Sequence, residues 1–185
     1  KKNKKKYITL IPTSNNLKLF KNKFLKEYPF LKINTQKKKV TLIWIGRLEP
    51  IKNPMRLIDI AEKNPQIHIY IVGNGSLWEK LKRRIQTKKL LNIEIFGHLD
   101  TQNIKKLIDK SDFHLMTSKS ENYPLVIQEA MANRMVSIVP NISCFKTLDF
   151  PNLKFYEEDN LLNKIIKINW NYKLEESTYN FFKTQ

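Results

Sequence analysis

The 185-residue chain has one cysteine, four glycines and only five arginines among its 34 basic residues. A lone Cys144 excludes an internal disulfide framework and suits a reducing compartment. Three histidines (His68, His98 and His114) and that cysteine show no metal-ligand spacing, so a structural zinc site is not expected. No apolar run approaches the roughly 18 residues of a membrane-spanning helix, and the lysine-rich start has no apolar region behind it. No G-x-x-x-x-G-K-[ST] phosphate loop occurs. Acidic residues are scarce as well, 17 against 34 basic, which leaves a net charge of +17. Such a charge suits nucleic acid, an anionic membrane surface or phosphorylated substrates. Base readout favours arginine, however, and no arginine-rich stretch with interleaved aromatics is present. Lys, Asn and Ile share A/T-rich codons, so genome composition offers a plain account of the lysine excess. The lysine clusters at 1–6 and 37–39 read as solvated tails or loops able to touch a membrane surface.

What is present is enough for one domain with a real core: 41% of residues are hydrophobic and 11% aromatic. Short apolar runs at 7–11, 40–46, 67–73, 92–97, 113–117 and 136–140 alternate with helix-length segments at 17–27, 54–63, 76–89, 102–110, 124–133, 159–168 and 173–183. Near-continuous apolar strands mean a sheet covered on both faces, and the alternation predicts a parallel α/β sheet with right-handed crossovers. In such sheets ligands gather where strand ends lead into helices.

Three of those loops carry unusual residues. In "IGRLEPIKNP", 45–54, Gly46 allows a close backbone approach, while Arg47 and Lys52 offer a guanidinium fork and a mobile ammonium suited to a diphosphate. The helix after it is expected to begin at Pro54. In "IVGNGS", 71–76, the third glycine of a dinucleotide fingerprint is replaced by Trp78, so these glycines are expected to serve the turn. In "SKSENYPLVIQEAMANRM", 118–135, Pro124 fits a first helical position, with Asn122 or Tyr123 ahead of it and Asn122 the better side-chain cap. A loop carboxylate, Glu121, a helix N-terminus and a helical carboxylate, Glu129, would then share one rim. Such a rim suits a ligand bearing both phosphate and hydroxyl groups. Taken singly, each loop is also explained by solvated cations or by acids near a helix N-terminus. Asp112 and His114 read as residues leading into and within a strand.

Taken together, "LIPTSNNLKLF" (10–20), "IWIGRLEPIKN" (43–53), "IYIVGNGSLWEKLK" (69–82), "IEIFGHL" (93–99) and "SDFHLMTSKSENYPLVIQEAMA" (111–132) resemble the C-terminal, donor-binding half of family 4 glycosyltransferases with the two-domain GT-B fold. The resemblance covers residues 8–145. It implies an α/β, Rossmann-like three-layer domain over 8–170, with a basic tail at 1–7 and a C-terminal helix or tail at 171–185. Arg47 and Lys52, with Gly46, match the residues on the donor diphosphate, and Glu129 matches the glutamate that accepts ribose hydroxyls. Glu121 matches the one at the donor sugar and the reacting centre, and is the catalytic candidate. Asn122, Tyr123, Pro124, Leu125 and Val126 match the sugar and phosphate loop; Leu99 falls where the backbone meets the base. The implied reaction is retaining transfer from a UDP- or GDP-sugar to a glycan or lipid-linked acceptor. It implies no cofactor and no metal, no specific nucleic acid, and a cytoplasmic location with peripheral membrane contact.

The sequence departs from the family at Thr13-Ser14, where Asn-Gly is usual, at Pro124, and at Arg134 and Val136. The acceptor site belongs in this family to an N-terminal domain that residues 1–185 do not supply, so the expectation is half an enzyme, inactive by itself. A basic nucleic-acid-binding module is the alternative from another class, and its affinity would collapse steeply with salt. A sugar-nucleotide epimerase half is a third reading, opposed by the Glu121–Glu129 spacing followed by Ala-Met-Ala.

Overall fold

The computed structural model describes residues 39–122, 124–133, 135–146 and 153–157. The elements expected at 7–11, 17–27, 159–168 and 173–183, and both tails, lie outside the described residues. Among the described residues there are six strands: β1 Val40–Ile45, β2 Ile67–Val72, β3 Ile93–Phe96, β4 Phe113–Leu115, β5 Val136–Pro140 and β6 Leu153–Tyr156. All pair in parallel, in the order β3-β2-β1-β4-β5-β6. The helices are α1 Arg56–Lys63, α2 Trp78–Thr87, α3 Thr101–Asp109, α4 Leu125–Ala132 and the short α5 Ser143–Lys146.

Alternation along the central strand builds the layers. Leu42 and Trp44 of β1 join an apolar cluster with Leu57 and Ile58 of α1 and Leu81 of α2. Ile43, between them, joins a different cluster with Ile108 of α3 and Ala130 of α4. Both faces of β1 are therefore covered by helices, and its run of apolar residues follows from that double burial. The α/β three-layer expectation holds.

Three local expectations need correction. Helix α1 starts at Arg56, not Pro54. Pro50–Lys52 forms a 3-10 turn closed by Asn53 in the left-handed region, with φ 49° and ψ 50°. Tight bonds from Arg56 N to Asn53 O and from Leu57 N to Pro54 O, both 3.1 Å, then wind the chain before the α-helix begins. Helix α4 starts at Leu125, so Pro124 stands just outside it and Asn122 lies too early to be its cap. β6 and α5 were not anticipated: four residues each, they are too short to show a period.

Asp112 and His114 take the strand roles expected of them. Asp112 brackets the start of β4 against β1: its N–H donates to Thr41 O at 2.8 Å and its Oδ2 accepts from Thr41 N at 2.9 Å. His114 is buried, with Nδ1 3.0 Å from Ser137 Oγ and Nε2 without a hydrogen-bond partner. Burial holds its pKa down at about 3. The folded state thus keeps a neutral ring, while the unfolded chain takes up a proton below pH ~6.5. Stability must fall as pH drops from there toward 3. Between pH 6.5 and 5 the wild type should lose about 1.6 kcal/mol relative to His114→Leu, the slope rising from about 0.7 to about 1.4 kcal/mol per pH unit as the unfolded ring becomes protonated. Urea melts at both pH values check this; parallel losses in the two proteins would refute it.

Candidate functional site

In the order 3-2-1-4-5-6 the chain leaves β1 toward β2 on one side, and the sheet continues through β4 on the other. The loops after β1 and β4 therefore diverge, and the crevice between them is where open α/β sheets bind ligands. A cavity of about 300 Å³ lies there, and its wall includes Trp44, Gly46, Arg47, Lys52, Ser118 and Glu121. Pro124, Leu125 and Val126 close it from the start of α4.

Residues far apart in sequence are stitched together across this crevice. Lys52 Nζ lies 2.5 Å from Glu121 Oε1, and the same oxygen accepts from Ser118 Oγ at 2.6 Å. The Glu121 side chain is only 8% exposed, against 24% for Lys52, so the carboxylate depends on these two donors in place of water. The main chains are joined too: Lys119 N donates to Ile51 O at 2.9 Å and Thr117 Oγ1 to Lys52 O at 2.8 Å. Arg47 is exposed at the mouth, its guanidinium available to an anion.

The loop after β2 supports the loop after β1. Gly46 N donates to Val72 O at 3.0 Å, Leu48 N to Asn74 O at 2.9 Å, and Leu77 N to Leu48 O at 2.9 Å. Glu49 reaches over to Ser76, accepting from its N–H at 3.0 Å and its hydroxyl at 2.7 Å. The Ser76 hydroxyl, then its amide, and finally the charge of Arg47 hold the Glu49 carboxyl below its ordinary value. The glycines of "IVGNGS" serve this contact, as expected: a Cβ on Gly73 would sit 1.8 Å from Gly46 O.

Of the sequence-derived site residues, the structure brings Gly46, Arg47, Lys52, Glu121, Pro124, Leu125 and Val126 to one cavity. Asn122 is exposed on the same loop, outside that wall, and Tyr123 lies outside the described residues. Glu129 is four residues beyond Leu125, on the same side of α4 one turn further in. Burial raises its carboxyl above the ordinary value. Leu99, beyond β3, packs its side chain into the cluster around Ile43 and Ala130. Neither Glu129 nor Leu99 is among the residues that line the cavity. Sequence reasoning missed Trp44, Thr117 and Ser118. The signal for the last two was available: hydroxyl residues directly after β4, on the loop that supplied Glu121.

Comparison with known proteins gives a consistent result. Residues 29–148 match the family described as Glycosyl transferases group 1. An Escherichia coli UDP-Gal:alpha-D-GlcNAc-diphosphoundecaprenol alpha-1,3-galactosyltransferase is 29% identical over 135 residues, covering 67% of this chain and 35% of the relative. The chain thus spans about a third of that protein's length. Among solved structures, the apo lipopolysaccharide outer core galactosyltransferase WaaB superposes with a TM-score of 0.66 at 19% identity, over 80% of this chain and 46% of that one. A mutant of S. aureus TarM, solved with Fondaparinux, alpha-GlcNAc-glycerol and UDP, gives 0.61 at 22% identity, over 94% and 39%. At these identities the structures speak to the fold, which is that of GT-B glycosyltransferases.

Proposed function

The chain belongs to the group 1 glycosyl transferases, and from that premise we propose that it is the donor-binding part of a retaining glycosyltransferase acting on a nucleoside diphosphate sugar. The observation that carries this reading is the cavity between β1 and β4, where Arg47, Lys52 and Glu121 converge from loops about 70 residues apart. Two cations at one wall match a diphosphate, and a carboxylate held beside them accepts hydroxyl hydrogens from the attached sugar. As the sugar departs, negative charge builds on the terminal phosphate. Arg47 and Lys52 stand where that charge develops and would stabilise it.

Glu129 is assigned to the ribose. Its raised pKa reflects a carboxylate short of water, and two ribose hydroxyls would supply the missing donors. Leu99 would meet the base through its main chain, since its side chain is committed to the core. The E. coli relative is named for UDP-Gal and a diphosphoundecaprenol-linked acceptor. By extension, a UDP-sugar is the leading donor here and a glycan or lipid-linked molecule the acceptor, at a cytoplasmic site with peripheral membrane contact. No described helix is long and apolar enough to cross a membrane. Transfer requires donor, acceptor and catalytic groups held together, so the acceptor-binding domain of a longer protein is needed and residues 1–185 alone should transfer nothing.

Calorimetry with UDP, GDP, ADP and uridine tests the donor reading. One diphosphate should bind measurably and its nucleoside far more weakly. Glu129→Gln should weaken the diphosphate by ~1.5–3 kcal/mol, the range for hydrogen bonds to a charged group. The 2′-deoxy form should lose much less in the same mutant. Equal losses for ribo and deoxy forms would remove the ribose assignment, and no binding by any diphosphate would remove the donor site itself.

A further inference from the structure

Thr117 is buried, belongs to the β4 loop, and joins two groups that lie on the other side of the crevice. Its Oγ1 accepts from the Trp44 indole Nε1 at 2.9 Å and donates to the Lys52 carbonyl at 2.8 Å. The direction of both bonds is fixed by chemistry. An indole N–H only donates and a carbonyl only accepts, so the threonine hydrogen must point at Lys52 O. Trp44 is itself buried at the end of β1 and needs an acceptor for its N–H.

The carbonyl that Thr117 holds is one the turn cannot satisfy. Within Pro50–Lys52, Glu49 O accepts from Lys52 N and Pro50 O from Asn53 N. The next two carbonyls, of Ile51 and Lys52, emerge from the end of the turn and accept from Lys119 N and Thr117 Oγ1. The β4 loop thus grips the turn at two successive peptide units, directly beneath the stem of Lys52.

We propose that Thr117 is a positioning residue for the donor diphosphate: oriented by the Trp44 indole, its hydroxyl fixes the main chain of Lys52 so that the ammonium stays at the cavity wall. This role rests on the donor-site reading given above. Glu121 holds the ammonium at one end, but a lysine side chain has four rotatable bonds, and a fixed root is needed as well to confine its charge when a ligand competes for it. Releasing the root lets the ammonium spread into solvent and lowers its effective concentration at the phosphates.

Thr117→Val keeps the shape and branching of the side chain but leaves the indole N–H and the Lys52 carbonyl unpaired. With UDP, GDP and ADP as probes, it should weaken the tightest-binding diphosphate about tenfold, as the effective concentration of the ammonium at the phosphates falls. Affinity for the corresponding nucleoside should not change. Thr117→Ser should restore diphosphate binding to within about twofold, and Trp44→Phe should lower it in the same direction by less. In a Lys52→Ala background Thr117→Val should have almost no effect, because both act through one ammonium. A ligand-free readout accompanies these: hydrogen exchange at the Lys119 amide, paired to the turn, should quicken in Thr117→Val. Unchanged diphosphate affinity, equal loss of nucleoside and diphosphate, additivity with Lys52→Ala, or unchanged Lys119 exchange would each overturn the role. Failure of the wild type to bind any of the three diphosphates would overturn the donor site and this role with it, which the wild-type arm alone reveals.

Discussion

Lys52→Ala is expected to cost both stability and ligand affinity, and Glu121 is the reason. The Lys52–Glu121 pair is 2.5 Å long, and removing the lysine leaves a carboxylate that is 8% exposed with Ser118 Oγ at 2.6 Å as its remaining donor on that oxygen. Breaking a fully buried pair costs about 3–5 kcal/mol and an exposed one about 0–1. With Lys52 itself 24% exposed, a loss of about 2 kcal/mol in unfolding free energy is expected. Diphosphate affinity should fall by more than tenfold in the same protein. Glu121→Gln should do the opposite for the bare diphosphate: it removes a negative charge from beside the phosphates and frees Lys52, so UDP should bind about fivefold more tightly. The sugar nucleotide should lose its advantage over UDP, because the carboxylate that meets the sugar is gone. Combining the two substitutions should recover the stability but not the binding. Lys80→Ala, exposed on α2, serves as control. If Lys80→Ala weakens UDP as much as Lys52→Ala does, the effect is general electrostatics and the cavity is not the site.

Gly73→Ala should be the most damaging single methyl in the protein. The residue has φ +141°, and its added Cβ would stand 1.8 Å from Gly46 O and 3.0 Å from Gly46 C. Both atoms belong to main chain, held by Gly46 N to Val72 O at 3.0 Å, so no side chain can move aside. Separating the loops by the ångström or more required would break that bond, the Leu48–Asn74 and Leu77–Leu48 bonds, and the Glu49–Ser76 contacts. A loss above ~4 kcal/mol, or no folded protein, is expected. Gly97→Ala is the matched control: its Cβ would meet only the Trp78 ring, at 3.9 Å, and should change stability by less than ~1 kcal/mol. Thermal melts that find the two variants alike would show that the β2 loop does not support the β1 loop.

The parts of this architecture that were legible in the sequence are those with a local signature. The apolar run 40–46 announced β1 because burial on both faces leaves Thr41, near its start, as the strand's one polar residue. Arg47, Lys52 and Glu121 were legible because each is a charge on a strand-to-helix loop. Trp44 and Thr117 were not, because their bond joins residues 73 apart and nothing near either one hints at the other. The glycines at 73 and 75 announced a turn but not the backbone they approach. β6 escaped for a different reason. Its four residues, with Lys154 among them, lie at the edge of the sheet among the described strands, and no apolar run betrays it.

The position of β1 between β2 and β4 also sets the order in which this protein can be made. As the chain emerges during synthesis, β1 acquires β2 after about 20 further residues, at Ile67, but its other flank waits for Phe113. Until then the described β1–β3 half exposes an open strand edge, lined by Val40–Ile45, that invites pairing with another nascent chain. The pairing that closes this edge spans 71 residues, and such distant contacts form slowly because the intervening chain must first be drawn together. The cavity shares that timing, since Glu121 follows the closing strand. A nascent chain that has not yet released β4 has no binding site, so its ligand cannot rescue it from aggregation; only a chaperone on the open edge or faster translation across residues 66–113 would.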